Sequence, residues 1–193
     1  LNTSNSYGFE YYVAMMEFLA NRYSENDFEN GYISNYVIGN EIDYAKSYNR
    51  ISEKQASLDT YMEEYSRLMR LANLATRKYS KDITVTIPTT HAWAQKGFTV
   101  SGDAVGAYAP KQMIEWLNTK TKMEGDYNWG LAPHVYGYHL AQAGVYYLDT
   151  LNNWNPLGIQ GGRNVGITND YNTTAKITLS NIELLDDYLN QDS

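Results

Sequence analysis

A chain of 193 residues is long enough for one sizeable hydrophobic core, and its 43% apolar and 19% charged content is that of a folded protein, not a disordered one. A net charge of −7, a pI near 4.9 and scattered Lys and Arg argue against nucleic acid or an anionic membrane surface as partners. The absence of Cys excludes disulfides and thiolate metal sites, and no stretch approaches the ~20 continuous apolar residues of a membrane span. What remains open is a neutral ligand. The 19 Tyr and 4 Trp pair flat apolar faces with polar tips, as contact with sugars requires.

In chain order, Ser6 is placed to cap a helix over residues 7–23, with Phe9, Tyr12, Val13, Met16, Leu19, Ala20 and Tyr23 on one face. Ile33 to Ile38 reads as a short strand ended by Gly39, and a polar loop over 44–55 follows. A long helix is predicted over 58–78, on the stripe Leu58, Tyr61, Met62, Tyr65, Leu68, Met69, Ala72 and Ala75. Residues 83–87 form a β-branched strand closed by Pro88. A loop over 91–109 leads to a helix begun by Pro110, and residues 129–134 form a third strand. The stretch 135–176 has little periodicity and reads as a long loop. Ser180 and Glu183 form a capping-box pattern for a last helix through Leu185 and Leu189.

Strands alternating with amphipathic helices predict an α/β fold, with about three parallel strands, four helices and right-handed crossovers. The generous spacing between strands suits a barrel with elaborated loops. A full (β/α)8 TIM barrel takes about 250 residues, so the expectation is a partial one, residues 1–193 forming a single domain. In such folds ligands bind beyond the C-terminal ends of the strands. Those positions hold Gly39, Asn40, Glu41 and Asp43 after the first strand, and Thr89, Thr90, His91 and Trp93 after the second. His134, Tyr136 and Tyr138 follow the third.

The stretch VIGNEID resembles the fourth strand of clan A glycoside hydrolases, whose Asn-Glu pair supplies the acid/base carboxylate. APHVYGY is similar to the His-x-Tyr ending of their sixth strand, and TIPTTHAW would sit at the fifth. More narrowly, the chain resembles an uncharacterised bacterial family of glycosidase-like barrels, with strands four to six present. The resemblance implies a retaining glycoside hydrolase acting on a carbohydrate, without cofactor or metal, in an extracellular or cell-surface setting. Glu41 would be the general acid/base and Asn40 would bond the sugar 2-hydroxyl. His134 and Tyr136 would orient the nucleophile and line the −1 subsite. His91 would contact substrate, and Trp93 and Tyr138 would be stacking platforms.

A retaining site needs a second carboxylate about 5 Å from the first. By the resemblance it is a Glu ending the seventh strand, which is expected to fall outside this chain. Other readings compete. Glu41 is also explained as a loop-capping carboxylate, His91 and His134 as core histidines, or all three as a metal site. The whole chain is also explained as a non-catalytic carbohydrate-binding or assembly protein on a degenerate barrel. An open three-stranded sheet leaves two edges, from which self-association is expected.

Overall fold

Asn5 opens the first helix, α1 (Ser6–Arg22): its Oδ1 accepts the Gly8 N–H at 2.8 Å. The cap is therefore Asn5, one residue before the Ser6 expected from sequence. The structure, a computed structural model, describes residues 3, 5–24, 28–51, 57–96, 98–99, 102–103, 106–135, 168–178 and 181–191. Further along are a 3-10 turn (Phe28–Asn30), β1 (Asn35–Val37), α2 (Ala45–Asn49), α3 (Leu58–Arg77) and β2 (Thr84–Thr89). After them come β3 (Phe98–Thr99), β4 (Gly102–Asp103), α4 (Pro110–Met123), β5 (Trp129–Pro133) and α5 (Glu183–Leu189). Three strands, β1-β2-β5 in that order, form the parallel sheet of a mixed helix-and-strand protein. Helices α1, α3, α4 and α5 are the four expected.

Four further places differ from expectation. The loop over 44–55 contains α2, and the loop over 91–109 contains the antiparallel pair β3–β4. Pro88 lies inside β2 instead of closing it. β1 pairs with β2 only from Asn35↔Thr84 to Val37↔Thr86, so the missing Pro88 N–H falls beyond that ladder. The last helix starts at Glu183 behind Ile182, with no side-chain cap, while Ser180 lies outside the described residues.

The chain divides into two compact units, each made of separate segments. The first comprises Leu1–Asn40, Ile51–Pro88 and Glu115–Ala132. Its core is the buried stripe Tyr12, Met16 and Ala20 of α1, Met62, Tyr65, Met69 and Ala72 of α3, Val85 and Ile87 of β2, and Leu117 of α4. The Tyr65 hydroxyl donates to the Ile38 carbonyl at 2.7 Å, satisfying a backbone oxygen just past β1. On the surface, Lys120 bridges Glu63 at 2.7 Å and Glu124 at 2.8 Å.

The second unit comprises Glu41–Arg50, Thr89–Ile114 and Pro133–Ser193. Residues 91–94 and 174–177 run side by side: Trp93 N donates to Ala175 O at 2.8 Å, and Ile177 N to His91 O at 2.8 Å. Asn181 accepts the Thr178 N–H at 2.8 Å and so fixes the entry to α5. Ala109, Met113, Ile177, Leu184, Leu185 and Tyr188 are among its buried apolar residues. No helix among the described residues is long and apolar enough to cross a membrane.

Candidate functional site

Beyond β1 the chain turns through Gly39, at φ +98°, and then through Glu41, at φ +39°. Glycine adopts that region freely, but a glutamate there carries strain of about 1–3 kcal/mol. The turn closes with Tyr44 N donating to Glu41 O at 2.9 Å. It leads into α2, which stops at Arg50, also left-handed at φ +52°. Lys46 N bonds Gly106 O at 3.3 Å, and Tyr108 N bonds Asp43 O at 2.9 Å. Gly106 has φ +70°, and a Cβ there would lie 2.8 Å from the Lys46 Cβ, so the close approach requires glycine.

Glu41 is 8% exposed, and its Oε1 lies 3.0 Å from His134 Nδ1. An ionised carboxylate only accepts, so Nδ1 carries the proton in this contact. His134 is held by its own backbone, whose N–H donates to Thr89 O at 2.8 Å. The Tyr48 phenol, in the same loop, is raised above its ordinary pKa by hydrogen bonding to the Glu41 carboxylate, by the Glu41 charge and by slight burial.

Asp43, fully buried, accepts the Thr90 N–H at 2.8 Å on one oxygen and the Thr90 hydroxyl on the other. Thr90 Oγ1 in turn accepts the Ala92 N–H at 3.1 Å. Burial pushes the Asp43 carboxyl up to about 6, the Thr90 bonds oppose it, and the Glu41 charge adds to it. Burial pulls partly buried His91 down to about 4, Lys176 adding to the shift and Glu41 opposing it. Lys176 is itself lowered to about 8 by burial. His91 is therefore a neutral imidazole at neutral pH. A nearly buried carboxylate on a fixed backbone, bonded to an imidazole, has the parts needed to exchange a proton with a bound ligand.

Of the residues singled out from sequence, Glu41, His91 and His134 come together in the second unit. His134 bonds Glu41, whereas the resemblance gave it the nucleophile to orient. Asn40 is exposed and belongs to the first unit. Trp93 is not a stacking platform. It is 3% exposed, its indole N–H donates to Tyr171 O at 2.7 Å, and its ring meets the Tyr188 ring edge-on at 5.0 Å. A platform must offer a face to the ligand, and this indole is spent on packing. Tyr136 and Tyr138 lie outside the described residues. Among the described residues no cluster of three or more His, Asp or Glu could hold a metal ion, so Glu41, His91 and His134 do not form one.

Sequence reasoning missed Tyr48 and Lys176. Tyr48 sits in a polar stretch without periodicity, and Lys176 is brought to His91 only by the pairing of 91–94 with 174–177. Neither carries a local signal.

Over residues 1–193 the chain belongs to a family of unknown function (DUF5722). No curated protein and no solved structure matches it.

Proposed function

We propose that this family member is a glycoside hydrolase-like protein acting on a carbohydrate, built on part of a (β/α)8 barrel, with Glu41 as general acid/base of a retaining mechanism. One observation carries the reading: a nearly buried carboxylate sits on left-handed backbone just past a parallel strand, in hydrogen-bond contact with an imidazole. Strain of this kind collects where a side chain must be aimed. Protonated, Glu41 would give its proton to the glycosidic oxygen as the bond to the sugar breaks. Ionised, it would take a proton from the water that releases the glycosyl intermediate. Asn40, adjacent in sequence, is the proposed partner of the sugar 2-hydroxyl. His134 would keep the Glu41 carboxylate oriented between the two steps.

The nucleophilic carboxylate is proposed to lie outside this chain. The test is hydrolysis of a panel of aryl glycosides and polysaccharides by the full-length protein and its Glu41→Gln variant. Loss of an acid/base group is expected to lower turnover by about 10²–10⁴-fold. The loss should be greatest on substrates with poor leaving groups, which depend most on protonation. Unchanged turnover in Glu41→Gln would overturn the assignment.

One observation favours a non-catalytic carbohydrate-binding or assembly role instead. Asp43, two residues from Glu41, has both oxygens engaged by Thr90 and is fully buried, so it does not supply the second carboxylate. Under this second reading neither protein turns over any glycoside, while glycan binding persists in both.

A further inference from the structure

Helix α1 is apolar on two opposite faces. One packs on α3 and buries Tyr12, Met16 and Ala20. The other carries Tyr7, Tyr11, Ala14, Met15 and Phe18 in a stripe along the helix. All five are exposed, Tyr7 by 75%, Tyr11 by 68% and Phe18 by 61%. A helix at a protein surface turns charge outward, as α3 of the same unit does with Glu63, Glu64 and Arg67. With about 200 Å² in each aromatic side chain, the α1 stripe leaves about 450 Å² of apolar surface in water. Contiguous patches of that size are often interaction sites.

Spacing and charge point to what covers it. Tyr7, Tyr11, Ala14 and Phe18 follow one another at four, three and four residues, the a/d seam of a two-stranded coiled coil, and the small Ala14 lets two helices approach closely. Beside the seam, Glu17 takes a g position and Arg22 the e position five residues on. In a parallel pair these two face each other across the interface, once on each side of the two-fold axis. Lys78 bonds one oxygen of Glu17, and the exposed Arg22 of a second copy is placed to meet the other. An antiparallel pair would instead bring the Glu10 and Glu17 carboxylates of the two helices together. With the flanking Gly8 and Arg22, two stripes bury about 1,000 Å², the lower limit of a specific interface. We propose that this face of α1 is a homodimer interface, on which a second copy of the chain lays its own α1 in parallel across a two-fold axis. A contact of this size makes a weak, reversible dimer. The proposal is independent of the reading of Glu41.

The test is sedimentation equilibrium of this chain and of the full-length protein, each carrying Val37→Lys so that pairing through the β1 edge does not contribute. The mass is expected to rise with concentration and level off at twice that of the monomer. Tyr11→Lys and Phe18→Lys, both at exposed positions, should each raise the dissociation constant about tenfold or more, with the melting temperature unchanged. The chain has no cysteine, so Ala14→Cys supplies a single thiol on the seam. In the parallel pair the two Ala14 positions face each other, and mild oxidation should link them as a disulfide dimer, while Lys81→Cys, elsewhere on the surface, should give none. A mass that stays monomeric, a dimer equally strong in both lysine variants, or no cross-link at position 14 would overturn the proposal. A full-length protein that stays monomeric while this chain dimerises would mean that another segment covers the face, and overturns it too. So would a monomer retained on insoluble polysaccharide through Tyr11 and Phe18, which would make the stripe a sugar platform.

Discussion

Asp43 and His91 make opposite demands on folding over the same range of pH. The Asp43 carboxyl is raised from 3.8 to about 6, chiefly by burial. Because the folded state then holds a proton that the unfolded state has released, its contribution is full below 3.8 and is lost as pH rises through about 6. The displacement corresponds to about 3 kcal/mol. His91 is lowered from 6.5 to about 4, again chiefly by burial. Its contribution is full above 6.5 and is lost as pH falls through about 4. It comes to about 2–3 kcal/mol, with the partial exposure of His91 favouring the lower figure. Neither group appears among the charges acting on the other, so the two contributions add and nearly cancel between pH 4 and 7.

Removing one group should therefore expose the other. Urea denaturation of the chain and of Asp43→Asn at several pH values between 4 and 7 gives the stability difference, in which all other titrations cancel. Asparagine keeps an acceptor for the Thr90 N–H and offers an N–H₂ to the Thr90 hydroxyl, so the local bonds survive at low pH. Relative to the parent chain, Asp43→Asn is expected to gain about 3 kcal/mol between pH 4 and 7. His91→Gln should lose about 2–3 kcal/mol over the same interval. In the double variant the difference should be flat again. An Asp43→Asn difference that stays constant within about 0.5 kcal/mol would refute the reasoning, because a buried carboxyl with a raised pKa cannot be silent in this comparison.

The other expectations are simpler to read. Gly106→Ala combines a left-handed φ with a Cβ 2.8 Å from the Lys46 Cβ, and should destabilise the chain by more than about 1 kcal/mol in the same denaturation assay; parental stability would mean that Lys46 is not held there. Among the described residues β1 pairs only with β2 and exposes Val37 at 53%, so the isolated chain is proposed to self-associate through this edge. Light scattering should then show a mass that grows with concentration, and Val37→Lys should reduce that growth.

Much of the architecture was readable because it rests on local patterns. The β-branched run at 83–87 and the 3.6-residue stripe from Tyr61 to Ala75 each specify one element whatever surrounds them. The errors arose where a distant partner decides. Trp93 follows a strand, where a platform would be expected, but Tyr171 and Tyr188, far along the chain, fold over it and make it core. Pro88 reads as a stop unless one knows that β1 ends its pairing at Thr86. Asn5 and Ser6 are equally good caps on paper, and only the bond to Gly8 chooses between them. Glu41 and His134 were legible as candidates because each follows a strand. Their 3.0 Å contact joins residues 93 positions apart and has no signature in either neighbourhood.

The conformation of Glu41 bears on why a glutamate stands there at all. Its left-handed backbone is set by its surroundings: the Asp43–Thr90 bonds, the Tyr44 turn and the Lys46–Gly106 contact hold residues 41–46 whatever side chain position 41 carries. Glycine would meet that geometry without strain, whereas glutamate carries about 1–3 kcal/mol. The bond from His134 returns an amount of the same order, about 1 kcal/mol, but it also requires a carboxylate to be nearly buried. The three contributions leave little or no net gain in stability from a glutamate at this position. A residue that costs the fold strain and returns little stability, held by the His134 bond, supports the proposal that the Glu41 carboxyl acts on a ligand.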